Sequence, residues 1–479
     1  MKKRLVSILI CIFIITLNIN SYALSLAPLD TEDGEEMYAF FEQLMNVTKN
    51  QYRFDITYEE LIQSALKEVL TNHPEMFAEF AKGAYKALDE NSAYLTADEY
   101  ESRYTDTMGA FAGIGITVME DEGRLLVSSP IAGTPAAEAG ISAGDEIISV
   151  NGEDVTSYGM DKIVSMIRGD EGTFVTIGIL RKGEILNFRL KREIIKVSPI
   201  SYKVLEKNNA GYVEISSFNG NTSEDLKKAL YDLKSQGVDK IVLDLRNNLG
   251  GLEDEAVKVV SYFIPDNSLV LVESHKNPEN DKEFYSQKTD DKFKVVVLVN
   301  EYSASASEIV SGTIKDYKAG PLVGVTTFGK GTVQTSLKIK NNDAIWLTIA
   351  KYNLPNGENI HKTGIEPDYY VENEYESADY ASLPKINPER QINSGDYGED
   401  VYAVKKWLLQ LGYNIPDMSM TYDEETANAV KRFQNAVGLY PYGVADFTTQ
   451  EKIVETVRKT KFLNDKQYKK ALELIYNMK

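Results

Sequence analysis

One stretch, residues 300–336, constrains the fold more than any other part of this 479-residue chain. A run of small residues opens an apolar pattern of helical spacing, and a glycine turn then leads into a β-branched strand. The next turn holds Lys330 between two glycines, and the strand after it carries Gln334. Because residues two apart share a face of an extended strand, Lys330 and Gln334 are predicted to point the same way. Hydroxyls, an amine and a carboxamide therefore meet within one short stretch.

Serine side chains are the candidate nucleophiles, since Ser303, Ser305 and Ser307 precede the predicted helix. A serine hydroxyl is a weak nucleophile at neutral pH and needs a neighbouring base. Lys330 can act as that base only where burial or a nearby dipole lowers its pKa, and the Gln334 carboxamide would hold it without adding negative charge. None of the three histidines lies in a triad-like context. The pattern fits acyl transfer, with a plain helix cap and an exposed lysine turn as the alternative.

Two strings make this stretch specific: SASASE at 303–308 and FGKGTVQ at 328–334. Together they resemble the carboxy-terminal processing proteases. The resemblance implies that Ser305 is the nucleophile, that Lys330 is the general base and that Gln334 orients the lysine. All three positions match the family pattern. The same resemblance implies neither a metal ion nor an organic cofactor.

The composition and the N-terminus indicate where the chain works. A net charge of −20 argues against nucleic acid as a partner. Three basic residues, an apolar run at 5–17 and the tripeptide Ser21-Tyr22-Ala23 predict a cleaved signal peptide at 1–23; an uncleaved anchor is the alternative, although the run is short for one. The only cysteine, Cys11, lies in this run, so a mature chain would have no disulfide. We expect a secreted or extracytoplasmic protein, free or associated with the membrane or cell wall.

The region before residue 196 divides into a helical part and a β-rich part. Residues 24–107 show apolar residues at helical spacing and predict a packing or dimerisation region. Residues 108–195 resemble a PDZ domain, most clearly in the string GDEIISVNG. The loop predicted to receive a peptide carboxylate on free backbone amides consists of Gly113, Ile114, Gly115 and Ile116.

Strands and helices alternate over residues 196–375, which predicts an α/β core. An apolar strand there ends in DLRNNLGG, whose glycines would free backbone amides to face a developing oxyanion; a simple tight turn is the alternative. The string resembles the oxyanion loop of the same protease family, and TGIEPD at 363–368 matches its closing motif. The resemblance implies that the amides of Gly251 and Ala306 bind the oxyanion. Leu249 stands where the family usually has proline, which leaves these amides intact.

The last hundred residues predict a linker, a small domain and a tail. Residues 376–393 hold two prolines among polar residues and lack periodicity. Residues 394–457 resemble the small all-α peptidoglycan-binding domain, so peptidoglycan is a candidate partner; a helical appendage without ligand is the alternative. Residues 458–479 predict a final amphipathic helix. We expect this helix to pack on a second copy, and with the N-terminal helices it favours a homodimer.

These patterns together predict a multidomain α/β protein with a helical N-terminal region, a PDZ domain, a ClpP/crotonase-like α/β protease core and a C-terminal all-α domain. The predicted activity is that of a secreted serine endopeptidase. It would cleave unstructured or C-terminal segments of protein substrates that the PDZ domain delivers. A scaffold without catalysis is disfavoured by the complete set of serine, lysine and glutamine. A crotonase-like acyl-CoA enzyme is disfavoured by the signal peptide and the PDZ region.

Overall fold

The computed structural model describes residues 33–121, 123–207, 209–379 and 382–478. The chain divides into two compact units, the first ending at Leu88 and the second beginning at Asp89. The predicted signal peptide and Cys11 lie outside the described residues. Within the described ranges, every helix is too short or too polar to cross a membrane.

The first unit is helical, as its sequence predicts. Its helices are α1 (Gly34–Gln51), α2 (Tyr58–Asn72) and α3 (Phe77–Tyr85). Thr57 and Glu60 form a capping box, in which the Thr57 N–H donates to the Glu60 carboxylate at 2.8 Å and the Glu60 N–H donates to the Thr57 hydroxyl at 3.1 Å. Because both donors would otherwise lack a partner, the box fixes the start of α2, and the T-x-x-E spacing of the sequence is its local signature.

The second unit opens with β1 (Ala93–Leu95) and α4 (Ala97–Met108), so the predicted helical region is shared between the two units. The predicted PDZ region follows, with β2 (Ala110–Gly113), β3 (Ile116–Asp121), β4 (Arg124–Pro130), α5 (Pro135–Glu138), β5 (Glu146–Val150), β6 (Glu153–Asp154), α6 (Met160–Ile167), β7 (Phe174–Arg181), β8 (Glu184–Lys191) and β9 (Glu193–Lys196). Its main sheet has the order β3–β4–β5–β7–β8. Strand β3 therefore lies at the sheet edge, with one side open.

The α/β core comprises β10 (Ile200–Val204), β11 (Ala210–Ile215), α7 (Thr222–Ser235), β12 (Lys240–Asp244), α8 (Glu253–Val260), β13 (Leu269–His275), β14 (Lys282–Tyr285), β15 (Lys294–Val299), α9 (Ala306–Asp316), β16 (Leu322–Gly324), β17 (Thr332–Lys338), β18 (Ala344–Asn353) and β19 (Tyr369–Tyr370). Its six-stranded sheet has the order β10–β11–β12–β15–β16–β19 and is parallel except for the β10–β11 pair. A second sheet joins β1, β18, β13 and β14, with β17 beside β18. The α/β class predicted from the alternation is confirmed. Helix α7 begins at Thr222, with Asn221 at its N-cap.

The central strands are apolar at nearly every position because both faces of the sheet are covered. On β12, Ile241 and Leu243 face the core formed with α7, α8 and α9, and Val242 faces the opposite side. Successive strand residues point to opposite faces, so a strand covered on both sides needs an unbroken apolar run. The sheet therefore requires a second layer beyond these three helices.

The C-terminal region contains β20 (Glu374–Ser377), α10 (Glu399–Gln410), α11 (Glu424–Ala436), α12 (Phe447–Lys459), β21 (Lys461–Asn464) and α13 (Lys466–Asn477). Strand β20 pairs antiparallel with β21, so helices α10–α12 lie between two paired strands. These helices have their own core around Trp407, Phe433 and Ile453. The small helical body formed by α10–α12 is thus joined to the rest of the second unit at both of its ends. The predicted linker begins inside β20.

The final helix, α13, supplies the missing layer. Ala471 and Ile475 are fully buried against Val242 and Leu298 on the sheet face opposite α7–α9. In place of the expected second copy, the sheet of the same chain covers the apolar face of this helix. An ion pair of 2.8 Å between Asp465, at the helix start, and Arg246 holds the helix in place.

Truncating Ile475 to alanine should lower the free energy of unfolding of the second unit by about 2–4 kcal/mol, since it removes a fully buried side chain and leaves a cavity. Urea unfolding of the full chain measures this loss. The control is Tyr231→Ala, at a side chain that is 77% exposed on α7. Equal stability of the two variants would contradict the packing of α13 on the sheet.

Candidate active site

Ser305 stands at a strained junction between strand and helix. It is the N-cap residue of α9, with φ 54° and ψ −114°. A positive φ is unfavourable for a residue with a side chain and persists only where the surroundings impose it. The residue is partly exposed, whereas the helix that follows is buried along its length. The turn therefore brings the Ser305 hydroxyl to the surface at the start of a buried helix.

The other two candidate serines have structural partners. The Ser303 hydroxyl donates to the Leu245 carbonyl at 2.8 Å, and the Ser307 hydroxyl donates to the Asn248 carbonyl at 2.9 Å. Both side chains are fully buried. They fasten the serine stretch to the loop that follows β12. Of the three serines, Ser305 alone is accessible, which the sequence did not decide.

A cleft of about 650 Å³ collects the predicted catalytic side chains. Ser305, Lys330 and Gln334 all line it, and so does Gly251. None of the described histidines is among the lining residues, and the described chain has no group of three or more metal-ligating side chains. The expected trio is therefore brought together in space. Ala306 is buried beside the cleft, with its backbone next to Ser305.

Lys330 is half-buried in this cleft, and its pKa is lowered. Burial is the main cause, because it disfavours the charged amine, and the guanidinium of Arg103 adds a repulsion of like charge. Glu308 and Asp89 act in the opposite direction. Arg103 itself stacks on the ring of Trp346 at 4.3 Å. The environment therefore favours a neutral amine more than water does.

Hydrogen bonds to two threonine hydroxyls hold the Gln334 side chain in place. Its amide nitrogen donates to Thr332 at 3.0 Å and to Thr348 at 3.2 Å, and the Thr348 hydroxyl donates to Asp89 at 3.0 Å. Lys330 lies in the turn before β17 and not on the strand. The two side chains reach the same cleft because of the turn geometry, and strand alternation is not the reason.

The loop at residues 246–251, which follows β12 and is called the glycine loop here, approaches Ser305 closely. A Cβ atom on Gly250 would lie 2.8 Å from that of Ser305, and one on Gly251 would lie 2.1 Å from the Phe218 carbonyl, so neither position accepts a side chain. Asn248 is fully buried and accepts from the Gly250 N–H at 2.9 Å. Within the described residues, the N–H groups of Gly251 and Ala306 donate no hydrogen bond. Two free amides thus flank the Ser305 side chain.

Glu308 connects the strand-to-helix turn at Ser305, called the serine junction here, to the turn at residues 328–331, called the lysine turn. One carboxylate oxygen accepts from the Thr327 hydroxyl at 2.6 Å and the Gly329 N–H at 2.7 Å. The other accepts from the N–H groups of Ser305 and Lys330, each at 2.9 Å. Burial raises the pKa of Glu308, and these four hydrogen bonds act against that rise. The fully buried Glu308 side chain therefore fixes the distance between the backbones of Ser305 and Lys330.

The predicted peptide-binding loop of the PDZ region is ordered by its carbonyl groups. The Ile114 carbonyl accepts from the Ala136 N–H at 2.9 Å, and the Gly115 carbonyl accepts from Ile131 at 2.9 Å. The N–H groups of Ile114 and Gly115 donate to no described residue. Gly113 ends β2 and Ile116 begins β3, the open edge strand.

Sequence reasoning missed three residues of this site. Glu308 and Ser305 have the S-x-x-E spacing of a capping box, a local signal that could have indicated the Glu308 contact. Asn248 lies within DLRNNLGG without a distinguishing feature. Arg103 had no signal at all, since α4 is more than two hundred positions from Lys330 and only folding brings them together.

Three family models match the chain. Residues 209–371 match peptidase family S41, residues 126–181 match a PDZ domain, and residues 397–453 match a putative peptidoglycan binding domain. The S41 match covers the glycine loop, the serine junction and the lysine turn.

Curated relatives are similar over most of their length. The carboxy-terminal processing protease CtpA of Bacillus subtilis (strain 168) is 36% identical over 398 residues, which is 82% of this chain and 84% of the relative. A probable CtpA-like serine protease of Staphylococcus haemolyticus is 37% identical, over 77% of this chain and 73% of the relative. Among solved structures, the photosystem II D1 C-terminal processing protease is 25% identical, with a TM-score of 0.40, over 71% of this chain and 93% of that one.

Replacing Glu308 by glutamine should lower the free energy of unfolding by about 2–4 kcal/mol, because the new NH₂ group must face two of the four buried donors. Amide exchange at Gly329 and Lys330 should become faster. Denaturant unfolding and hydrogen exchange measure the two effects. The control is Glu366→Gln, at an exposed side chain. Unchanged exchange in the Glu308 variant would contradict the role of this carboxylate.

Proposed function

The chain belongs to peptidase family S41 as a carboxy-terminal processing serine protease, and from this we propose that it cleaves peptide bonds with a Ser305–Lys330 dyad. The observation that carries the proposal is the shared cleft, in which a partly exposed serine on a strained turn lies with a lysine whose pKa is lowered. Two free amides beside the serine add the third requirement of acyl transfer.

In the first half of the reaction, neutral Lys330 takes the proton of the Ser305 hydroxyl while the serine oxygen attacks the scissile carbonyl. The carbonyl oxygen becomes an oxyanion held by the N–H groups of Gly251 and Ala306. Protonated Lys330 then gives its proton to the leaving amine as the carbon–nitrogen bond breaks. An acyl group remains on Ser305.

In the second half, Lys330 takes a proton from water, which attacks the acyl carbon. Collapse of the second tetrahedral intermediate returns the proton to the Ser305 oxygen and releases the new carboxyl terminus. Gln334, fixed by Thr332 and Thr348, orients the amine through the free oxygen of its carboxamide. Arg103 keeps the lysine pKa low through its charge.

Peptide delivery is proposed for the PDZ region. The open edge of β3 can pair with an extended peptide, and the free N–H groups of Ile114 and Gly115 can bind a terminal carboxylate. Main-chain pairing favours segments without stable structure, because a folded segment has no free edge to offer. Unstructured or C-terminal protein segments are therefore the proposed substrates.

We place the protein outside the cytoplasm, on the strength of the signal peptide pattern and the match to a peptidoglycan binding domain. Peptidoglycan is the proposed ligand of α10–α12. A homodimer is proposed through α1–α3, which expose Met37, Tyr38 and Phe77. These helices have no buried residue of their own, so a partner surface would stabilise them.

The test of the proposal is cleavage of an unfolded protein by the purified chain beside its Ser305→Ala variant. We expect cleavage by the first and at least a thousandfold loss in the second, since the nucleophile is removed. Lys330→Ala should lose a similar factor yet keep its affinity for a C-terminal peptide at the PDZ region. If all three versions are inactive yet bind the peptide, a scaffold replaces the protease; equal cleavage by all three would remove serine and lysine from the reaction.

The pH profile tests the role of Arg103. Replacing Arg103 by methionine removes a positive charge beside Lys330, so the pKa of Lys330 should rise and the rising limb of kcat/KM should move to higher pH. Activity at pH 7 falls accordingly. The matched control is Arg189→Met, because Arg189 stacks on Phe174 in the PDZ region at 4.0 Å. A limb that stays in place would show that Arg103 does not act on the base.

A further inference from the structure

A second ionisable group lines the catalytic cleft, and the proposed mechanism does not use it. Glu253 is the first residue of α8, two positions after Gly251, and its side chain faces the same cavity as Ser305. The charged residues of the described cleft lining are Arg103, Lys330 and Glu253, so Glu253 is its one acid. The one carboxyl of the cleft lining is a candidate determinant of substrate choice.

Behind Glu253 lies a second acid, on β13. Glu273 is 5% exposed and within hydrogen-bonding reach of the Glu253 carboxyl. Glu273 also contacts two basic groups: its carboxylate is 3.1 Å from His275 Nε2 and 3.7 Å from Lys282 Nζ. Glu273 therefore lies between these two groups and Glu253, and Glu253 is the member of the pair that lines the cleft.

The charged and titratable groups around Glu253 come from four elements. Glu273 on β13 and Asp254 on α8 repel a negative charge there, Lys282 on β14 attracts it, and Tyr352 on β18 lines the same cleft. Burial, followed by the repulsion from Glu273, raises the pKa of Glu253 to about 8. A carboxylic acid that is neutral at pH 7 therefore faces the substrate.

Glu253 lies where the substrate side chain on the acyl side of the scissile bond would bind. The amides of Gly251 and Ala306 fix the scissile carbonyl oxygen, so the side chain of the residue that owns this carbonyl must enter the space beside them. That space is bounded by Glu253 and by Ile309, one turn after Ser305 on α9. Among the described lining residues, Glu253 is the one carboxyl that such a side chain can meet.

We infer that Glu253, with Glu273 behind it, forms the floor of the subsite for the substrate side chain on the acyl side of the scissile bond, and that it selects lysine or arginine there. The inference rests on the proposed function, because it takes Ser305 as the nucleophile. Two carboxyls that share one proton offer a cation a ready exchange: the ammonium or guanidinium replaces the Glu253 proton, which leaves to solvent, and relieves the repulsion from Glu273. Neutral side chains meet a neutral acid and are accepted, whereas acidic side chains are rejected.

The experiment maps the bonds cleaved in an unfolded protein by mass spectrometry, for the full-length wild type and Glu253→Gln. We expect lysine and arginine to be enriched severalfold at the acyl-side position in the wild type and to fall to their frequency in the substrate in the variant. The matched control is Asp254→Asn, the same change from acid to amide at an exposed neighbour, which should keep the enrichment. Enrichment that persists in Glu253→Gln, or is missing in the wild type, overturns the inference.

A competition experiment adds a readout that does not depend on how much of a variant folds. Two peptides that differ only by lysine or norleucine at the acyl-side position compete for the enzyme in one sample. The folded fraction and the protonation of Lys330 affect both kcat/KM values equally, so they cancel from the ratio of the two values. In the wild type the lysine-to-norleucine ratio of kcat/KM should rise up to about tenfold per pH unit below the Glu253 pKa and level off above about pH 8. In Glu253→Gln it should be flat, and a flat wild-type ratio would overturn the inference.

The two proposals fail in distinguishable ways. If the wild type leaves both peptides and the unfolded protein uncut, the dyad itself is refuted and the subsite with it. If it cleaves norleucine and lysine peptides equally at every pH, and Ser305→Ala cleaves neither, the dyad stands and only the subsite is refuted.

Discussion

The site depends first on the buried carboxylate of Glu308. Its two oxygens accept four hydrogen bonds, two from the serine junction and lysine turn backbones and two from Thr327 and Gly329. A buried acceptor with four donors is costly to rearrange, because each donor would lose its partner. The helix start and the turn before β17 are therefore held at one separation. Ser305 keeps its strained backbone because these contacts impose it.

A second constraint comes from the sheet that carries these segments. Its parallel strands are apolar on both faces, and the same chain covers both, with α7–α9 on one side and α13 on the other. Helix α13 follows the small helical body in sequence. The paired strands β20 and β21, which stand before and after that body, anchor it beside the sheet that α13 covers. The Arg246–Asp465 pair then links the tail to the first residue of the glycine loop. The tail is in this way part of the catalytic body.

The cleft combines groups whose pKa values move in opposite directions. Burial lowers the pKa of Lys330 and raises that of Glu253, because in both cases it disfavours the charged form. Neighbouring like charges strengthen each shift: Arg103 acts on the lysine and Glu273 on the glutamate. Both shifts favour the uncharged forms, which suits the proposed roles of Lys330 as a base and of Glu253 in the substrate pocket.

The sequence by itself predicted the α/β class and the order of the regions, because periodicity and short motifs are local properties of the chain. The trio Ser305, Lys330 and Gln334 was indicated by the resemblance of two short motifs to a protease family. Helix starts such as that at Thr57 were equally readable, since a cap forms within one turn. Only the tertiary structure decided which serine is accessible, that α13 packs on its own sheet, and that Arg103, Glu253 and Glu273 share the site. These facts depend on burial and on charges that lie far apart in sequence, and no local pattern encodes the distance between them.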